Sequence, residues 1–347
     1  MRTAEPDRKM VELFKKELVL CKVGPGQTVG ILSEGNSARD YALGFIQAAK
    51  ELGADPIDVN LPSHNDKSAN ERLANLADNA LVGNRQAIER LKTTDLVIDL
   101  IFLLFSKEQI EIESGGARVL LVVEPLEILE RLMPTEDQHR RVQLSEELLK
   151  NASQLRFTNA AGTDVLYELG KARLLPEYGF ADTPGRWDHW PGGFLSTYAV
   201  GDIRGKVVMA PGDILYPFKE FVKDPIEFTV MDGMIQSIDG GESAQKLQSY
   251  MENYDDPRAF AVSHIGWGLN EKCEWRVDFP GVGMDGRAYY GNVLFSTGPN
   301  TEFGGDNDTA CHLDLPMKNC SLWLDGDLIL RDGEFTIPEL RASRSAT

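Results

Sequence analysis

Between residues 28 and 125 the chain alternates short apolar runs with amphipathic stretches, and that alternation leaves few folds open. TVGILSE (28–34) has the length and the branched content of a buried strand. SARDYALGFIQAAKELG follows with apolar residues at helical spacing, and Gly53 is its stop signal. DPIDVNL (55–61) reads as the next strand, RQAIERLKTTDLVIDLIFLL (85–104) as helix then strand, and ARVLLVVEP (117–125) as a further strand leading into helix. Strands that take turns with helices predict a parallel, doubly wound α/β sheet. The first turn, LSEGNSARD, has a single glycine, Gly35, and therefore no dinucleotide fingerprint. A helix is expected next in TEDQHRRVQLSEELLKNASQL (135–155), with Thr135 and Gln138 spaced as a capping box.

Beyond residue 155 the pattern changes. Short β-rich segments separated by glycine and proline take over: KVVMAPGDILYPF, IEFTVMDGMIQSIDGG, RAYYGNVLFSTG and CSLWLDGDLILRDGEF. The DG pairs at 232–233, 325–326 and 332–333 and the GG pair at 240–241 are hairpin-turn signals. The expected architecture is an α/β, Rossmann-like domain over residues 1–155, followed by a β-rich (α+β) metal-binding and catalytic domain over 156–347. A chain of 347 residues is long enough for two such units.

Charge narrows the function. The formal net charge is -18, and so acidic a surface repels phosphate backbones and anionic lipid; no nucleic-acid or membrane partner is expected. No apolar run is long enough to span a bilayer. The opening MRTAEPDRKMVELFKKEL reads as a charged amphipathic helix rather than a secretory leader. Cys21, Cys273, Cys311 and Cys320 form no CxxC pair, which predicts reduced thiols and a cytoplasmic location.

Chemistry concentrates around three of the five histidines. His64 and His139 sit in polar surroundings and read as surface residues, whereas His189 (RWDHWPGGF), His264 (SHIGWGLN) and His312 (CHLDLPM) lie in glycine- and tryptophan-rich stretches of the second half. In an extended CHLDLPM, side chains alternate, so His312 and Asp314 face one way and Cys311 the other. That separates Cys311 from His312, and Cys320 is too far along for a closed zinc site. His-x-Asp plus His264 fits instead a two-histidine, one-carboxylate triad with open positions for iron(II). The same residues also suit a zinc hydrolase, or no metal at all, since His-x-Asp pairs occur as hydrogen-bonded surface pairs.

Five segments carry a family likeness: RVLLVVEPLEILERLMPTEDQHRRV, EYGFADTPGRWDHWPGGFL, SHIGWGL, YYGNVLFSTGPNTEFGG and CHLDLPMKNC. Together they resemble the 2,5-dihydroxypyridine 5,6-dioxygenases, ring-cleaving enzymes similar in fold to the M29 metallo-aminopeptidases. The resemblance implies Fe(2+) held by His264, His312 and Asp314, and cleavage of 2,5-dihydroxypyridine by O2 to N-formylmaleamate. It implies catalytic roles for Glu177 and His189, and a substrate pocket drawn from Leu104, Phe105, Glu177, His189, Arg287 and Ser296. Phe105 stands where the family pattern has a histidine; phenylalanine can pack against a ring but cannot move a proton, so a differently substituted pyridine is an alternative substrate. Alternatives of other classes are a metallo-aminopeptidase-like hydrolase and an α/β protein that binds an aromatic acid without turnover. Enzymes of the resembled family imply a homo-oligomer.

Overall fold

The computed structural model describes residues 6–64, 78–279 and 281–343. The chain forms two compact units. The first comprises residues up to Pro134 together with Tyr178–Gly192, and the second comprises Thr135–Glu177 and Gly193 onward. This differs from the single cut expected at 155. The helix Glu136–Lys150 packs with the β-rich unit, and residues 178–192 return to the first unit because Trp187–His189 adds a strand to its sheet.

That sheet has the order Asp55–Leu61, Thr28–Glu34, Leu96–Asp99, Arg118–Leu121, Trp187–His189, with every pairing parallel. Buried branched residues such as Val29, Ile31, Val97, Ile98 and Val119 line its strands, as a sheet covered on both faces requires. The helix Arg39–Glu51 ends where Gly53 turns left-handed at φ 78°, the expected stop. The strand expected to run on to residue 104 stops at Asp99. Its carboxylate accepts from the N–H groups of Ile101 and Leu103, folding 100–106 into a loop. Order reverses at Thr28–Glu34, and this loop leaves the carboxyl end of the neighbouring strand, where open α/β sheets receive ligands.

The second unit holds an eight-stranded and a five-stranded sheet, both antiparallel. Phe228 of one lies 5.6 Å from Phe295 of the other, in the shared core. The three DG pairs make hairpin turns with both residues left-handed: Asp232 and Gly233 at φ 51° and 69°, Asp325 and Gly326 at 48° and 91°, Asp332 and Gly333 at 49° and 89°. Those angles match the right-handed twist of the flanking strands. The GG pair does not turn a hairpin; Gly240 ends a strand, and Gly241 begins the helix Glu242–Glu252. Thr135 caps its helix by accepting from the Gln138 N–H at 3.1 Å.

Candidate metal centre

The five-stranded sheet runs in the order Leu313–Met317, Val293–Thr297, Val262–Gly268, Phe194–Tyr198, Leu174–Glu177. Three neighbouring strands bring Asp314, Ser296 and His264 into a row. Ser296 pairs directly with Asp314. His264 joins them through a bulge: Val262 pairs with Thr297 and Ile265 with Phe295, so Ser263 and His264 together oppose Ser296. A bulge re-aims side chains that strict alternation would send to the other face. His312 comes from the segment just ahead of Leu313. Gly298, at φ 103°, lets that segment approach, since a Cβ there would lie 2.0 Å from the Cys311 carbonyl oxygen.

The donor atoms converge. Nε2 of His264 and Nε2 of His312 each lie 3.2 Å from Oδ1 of Asp314. Among the described residues, His264, His312 and Asp314 form the group of side chains placed to share one metal ion. Cys311 is buried and free and lies outside that group, as strand alternation predicts. The other oxygen of Asp314, Oδ2, accepts from Arg287 Nε at 2.6 Å. Ser296 Oγ lies 3.0 Å from Asp314 Oδ1, 3.0 Å from His264 Nε2 and 2.8 Å from the Leu313 carbonyl; its one proton has three acceptors in reach.

Electrostatics agree with the geometry. Burial alone would raise the Asp314 carboxyl, but the His312 imidazole and the Arg287 guanidinium outweigh it and hold the group well below the usual carboxylate range. For His312, burial pulls downward, and the facing Asp314 carboxylate more than reverses that. Two imidazole nitrogens and one ionised oxygen are a donor set for a first-row divalent ion, and no fourth protein ligand closes the set among the described residues.

The remaining expected residues fall as follows. Glu177, buried, ends the far edge strand of the same sheet, with its carbonyl accepting from Gly193 N–H. Arg287 and Ser296, expected at the substrate, direct the bonds described above to the His264, His312 and Asp314 group. In the first unit, His189 closes the strand Trp187–His189, while Leu104 and Phe105 lie in the 100–106 loop. Phe102 and Phe105 hold φ of 67° and 57°, a left-handed backbone that bulky residues adopt only under constraint. Phe105 N–H donates to Gln109 Oε1 at 2.9 Å, and its ring lies 4.7 Å from Trp187.

Sequence inspection passed over Asp188. It is fully buried and accepts from the N–H groups of Tyr178, Gly179 and His189 and from the Arg186 guanidinium, fixing the backbone that carries His189. One acid among 54 carries no mark of this; only the adjacent histidine and tryptophans hinted at a special position.

Known proteins are similar to this chain in sequence and fold. The family model described as NicX, 2,5-dihydroxypyridine 5,6-dioxygenase, matches residues 9–337. A curated protein named 2,5-dihydroxypyridine 5,6-dioxygenase, from Pseudomonas putida KT2440, is 42% identical over 346 residues, which is 97% of this chain and 98% of the relative. The solved structure of 2,5-dihydroxypyridine dioxygenase from the same organism superposes with a TM-score of 0.91 at 41% identity, covering 96% of this chain and 98% of that one. Wild-type AmpT from Thermus thermophilus matches at TM-score 0.63 and 13% identity, over 95% of this chain and 99% of its own, a likeness of fold alone.

Proposed function

Because the chain belongs to the 2,5-dihydroxypyridine 5,6-dioxygenase family, we propose that it opens the ring of 2,5-dihydroxypyridine with O2 at an Fe(2+) held by His264, His312 and Asp314. The observation that carries this reading is the convergence of both imidazole Nε2 atoms on one carboxylate oxygen, each at 3.2 Å. In this cluster His264 and Asp314 are buried and His312 is partly exposed, with no fourth protein ligand among the described residues. Ferrous iron with open positions supplies an electron path between an oxygen-bearing ring and dioxygen.

The chain's own residues do the rest. Asp314, held ionised, offsets positive charge at the site. Hydroxyls that lie para on a ring cannot both reach one ion, so the far end of the substrate needs protein groups. Glu177 and His189 are the residues we assign to hold the ring nitrogen and oxygen and to move protons there, with Leu104 and Phe105 packing on its face. Phe105 offers only contact, so proton transfer falls to the other two. N-formylmaleamate is the product of this reading. The same reading places the enzyme in the cytoplasm as a homo-oligomer. No helix among the described residues is long and apolar enough to cross a membrane.

Oxygen uptake by anaerobically iron-loaded protein tests the assignment across 2,5-dihydroxypyridine, trihydroxypyridines, gentisate and catechols. Uptake with 2,5-dihydroxypyridine, lost in His312→Ala together with bound iron, is the expected result. Stoichiometric zinc, peptide hydrolysis and no oxygen uptake would overturn it in favour of a hydrolase.

A further inference from the structure

We propose that Arg287 is a positioning residue for the metal site, holding Asp314 so that Oδ1 stays turned toward His264 and His312. The inference rests on the metal-site reading above and adds a residue that acts through a ligand rather than on the ring.

The arginine is itself held from several sides. Nε donates to Asp314 Oδ2 at 2.6 Å, and Nη1 donates to the Val282 carbonyl. The guanidinium carbon lies 4.4 Å from the centre of the Tyr216 ring, a cation–π stack. Tyr216 in turn donates its hydroxyl to the Gly283 carbonyl, so the platform is tied to the turn that leads into the short helix Met284–Arg287. That helix lies so close on Tyr216 that a Cβ at Gly286 would come within 2.4 Å of the tyrosine hydroxyl. Asn292 fixes the helix's other end: Nδ2 donates to the carbonyls of Gly286 and Arg287 at 2.6 and 3.0 Å. Its Oδ1 accepts from Gly268 N–H at 2.7 Å, at the end of the strand that carries His264.

Backbone and guanidinium are thus both fixed relative to two of the three metal-binding side chains. An aspartate can rotate about its Cβ–Cγ bond and exchange its oxygens; a guanidinium locked on Oδ2 removes that freedom before any ion arrives. Outer partners of this kind, by orienting a ligand, typically change metal affinity about 10–100-fold. Charge alone would act the other way, since taking a cation from beside a metal ion strengthens binding by simple Coulomb attraction. The two accounts therefore predict opposite signs.

Co2+ serves as the probe, titrated against a competing chelator into full-length metal-free protein, with the visible absorption of bound cobalt and the unfolding temperature of the metal-free protein recorded. Arg287→Gln is expected to weaken Co2+ binding about tenfold or more and to change the cobalt spectrum, while the unfolding temperature moves little. Arg287→Lys is expected to recover only part of the affinity, because an ammonium keeps the charge without the planar fork. Unchanged or tighter Co2+ binding in Arg287→Gln, with a raised KM for 2,5-dihydroxypyridine, overturns the proposal and makes Arg287 a substrate contact. Should the glutamine variant fail to fold, wild-type affinity in Arg287→Lys overturns it equally. His312→Ala is the reference: wild-type Co2+ affinity there would sink the metal-site reading itself, whereas loss there beside retention in Arg287→Gln sinks the positioning role alone.

Discussion

Two buried aspartates, one in each unit, are each paired with an arginine, yet their oxygens meet opposite surroundings. Asp188 is fully buried, and three backbone N–H groups and Arg186 take up its oxygens. Asp314 has one oxygen on Arg287 and turns the other to two imidazoles and a hydroxyl. Burial dominates at Asp188 and leaves its carboxyl above the ordinary range, although Arg186 and the backbone donors pull down. At Asp314 the cationic partners win, and the carboxyl falls well below it. The difference gives a criterion that separates a structural acid from a candidate ligand: whether its lone pairs end on backbone or on side chains that could share an ion.

The sharpest way to break that distinction is Asp314→Asn. The amide has nearly the carboxylate's shape, but its NH2 must face either Arg287, setting donor against donor, or the imidazoles, where it takes the place of the oxygen that would share an ion with them. Metal binding is expected to fall by more than the roughly 10–100-fold seen for outer partners, with turnover lost and circular dichroism unchanged. Retained metal would remove Asp314 from the ligand set.

Asp188→Asn should do the reverse. Its amide would meet either backbone N–H groups or Arg186, leaving a buried cation poorly paired, at a cost of about 3–5 kcal/mol. The expected result is a lower unfolding temperature with Co2+ affinity kept in the molecules that remain folded. A variant as stable as wild type would show that the backbone donors do not depend on a charge at this position.

How far this was legible in sequence follows from which interactions are local. Alternating strand and helix patterns in the first 125 residues and the three DG turns depend on near neighbours, and the structure has them. So does the common facing of His312 and Asp314, two residues apart on extended chain. The bulge at Ser263 and His264 does not, because register is set between strands that are far apart in sequence. Leu100–Leu104 looks like continuing strand by hydropathy, and only the carboxylate of Asp99 capping two N–H groups shows why it turns away. The Gly240–Gly241 pair failed as a hairpin signal for a related reason. Glycine permits a turn but also permits close approach, and here it joins strand to helix. Which acid Arg287 would meet was not legible, since its pairing with Asp314 joins separate segments and leaves no period. Asp188 pairs with nearby Arg186, but the Tyr178 and Gly179 N–H groups that complete its shell come from another turn of the chain.

A third buried aspartate sharpens the comparison through pH. Asp213 has no arginine partner among the described residues; Oδ1 accepts from Lys318 N–H and Oδ2 from Ala210 N–H. Burial pushes its carboxyl from an ordinary 3.8 up to about 6, the backbone bonds pulling only partly back. The folded state therefore binds this proton more tightly than the unfolded chain. The resulting stabilisation is complete below the unfolded value and is lost as pH rises through about 6. Asp213→Asn cannot titrate and should flatten the stability profile between about pH 4 and 6, by an amount on the order of 2–3 kcal/mol at most. Parallel profiles for wild type and variant, from urea unfolding at stepped pH, would show that the group does not titrate in that window.

The smallest effect expected is at Ser296, and it tests whether the ligand side of the comparison is built by orientation as well as by charge. Its hydroxyl is within reach of Asp314 Oδ1, His264 Nε2 and the Leu313 carbonyl, and one proton can satisfy only one of them. With an ion on the carboxylate and the imidazole, the Leu313 carbonyl is the acceptor left over, so the bond contributes an ordinary neutral hydrogen bond of about 1 kcal/mol. Ser296→Ala should therefore cost about that much stability and about tenfold or less in Co2+ affinity, well short of Asp314→Asn. Loss of metal as complete as in the Asp314 variant would instead mean that the hydroxyl is itself a ligand, and the set would no longer be two imidazoles and one carboxylate.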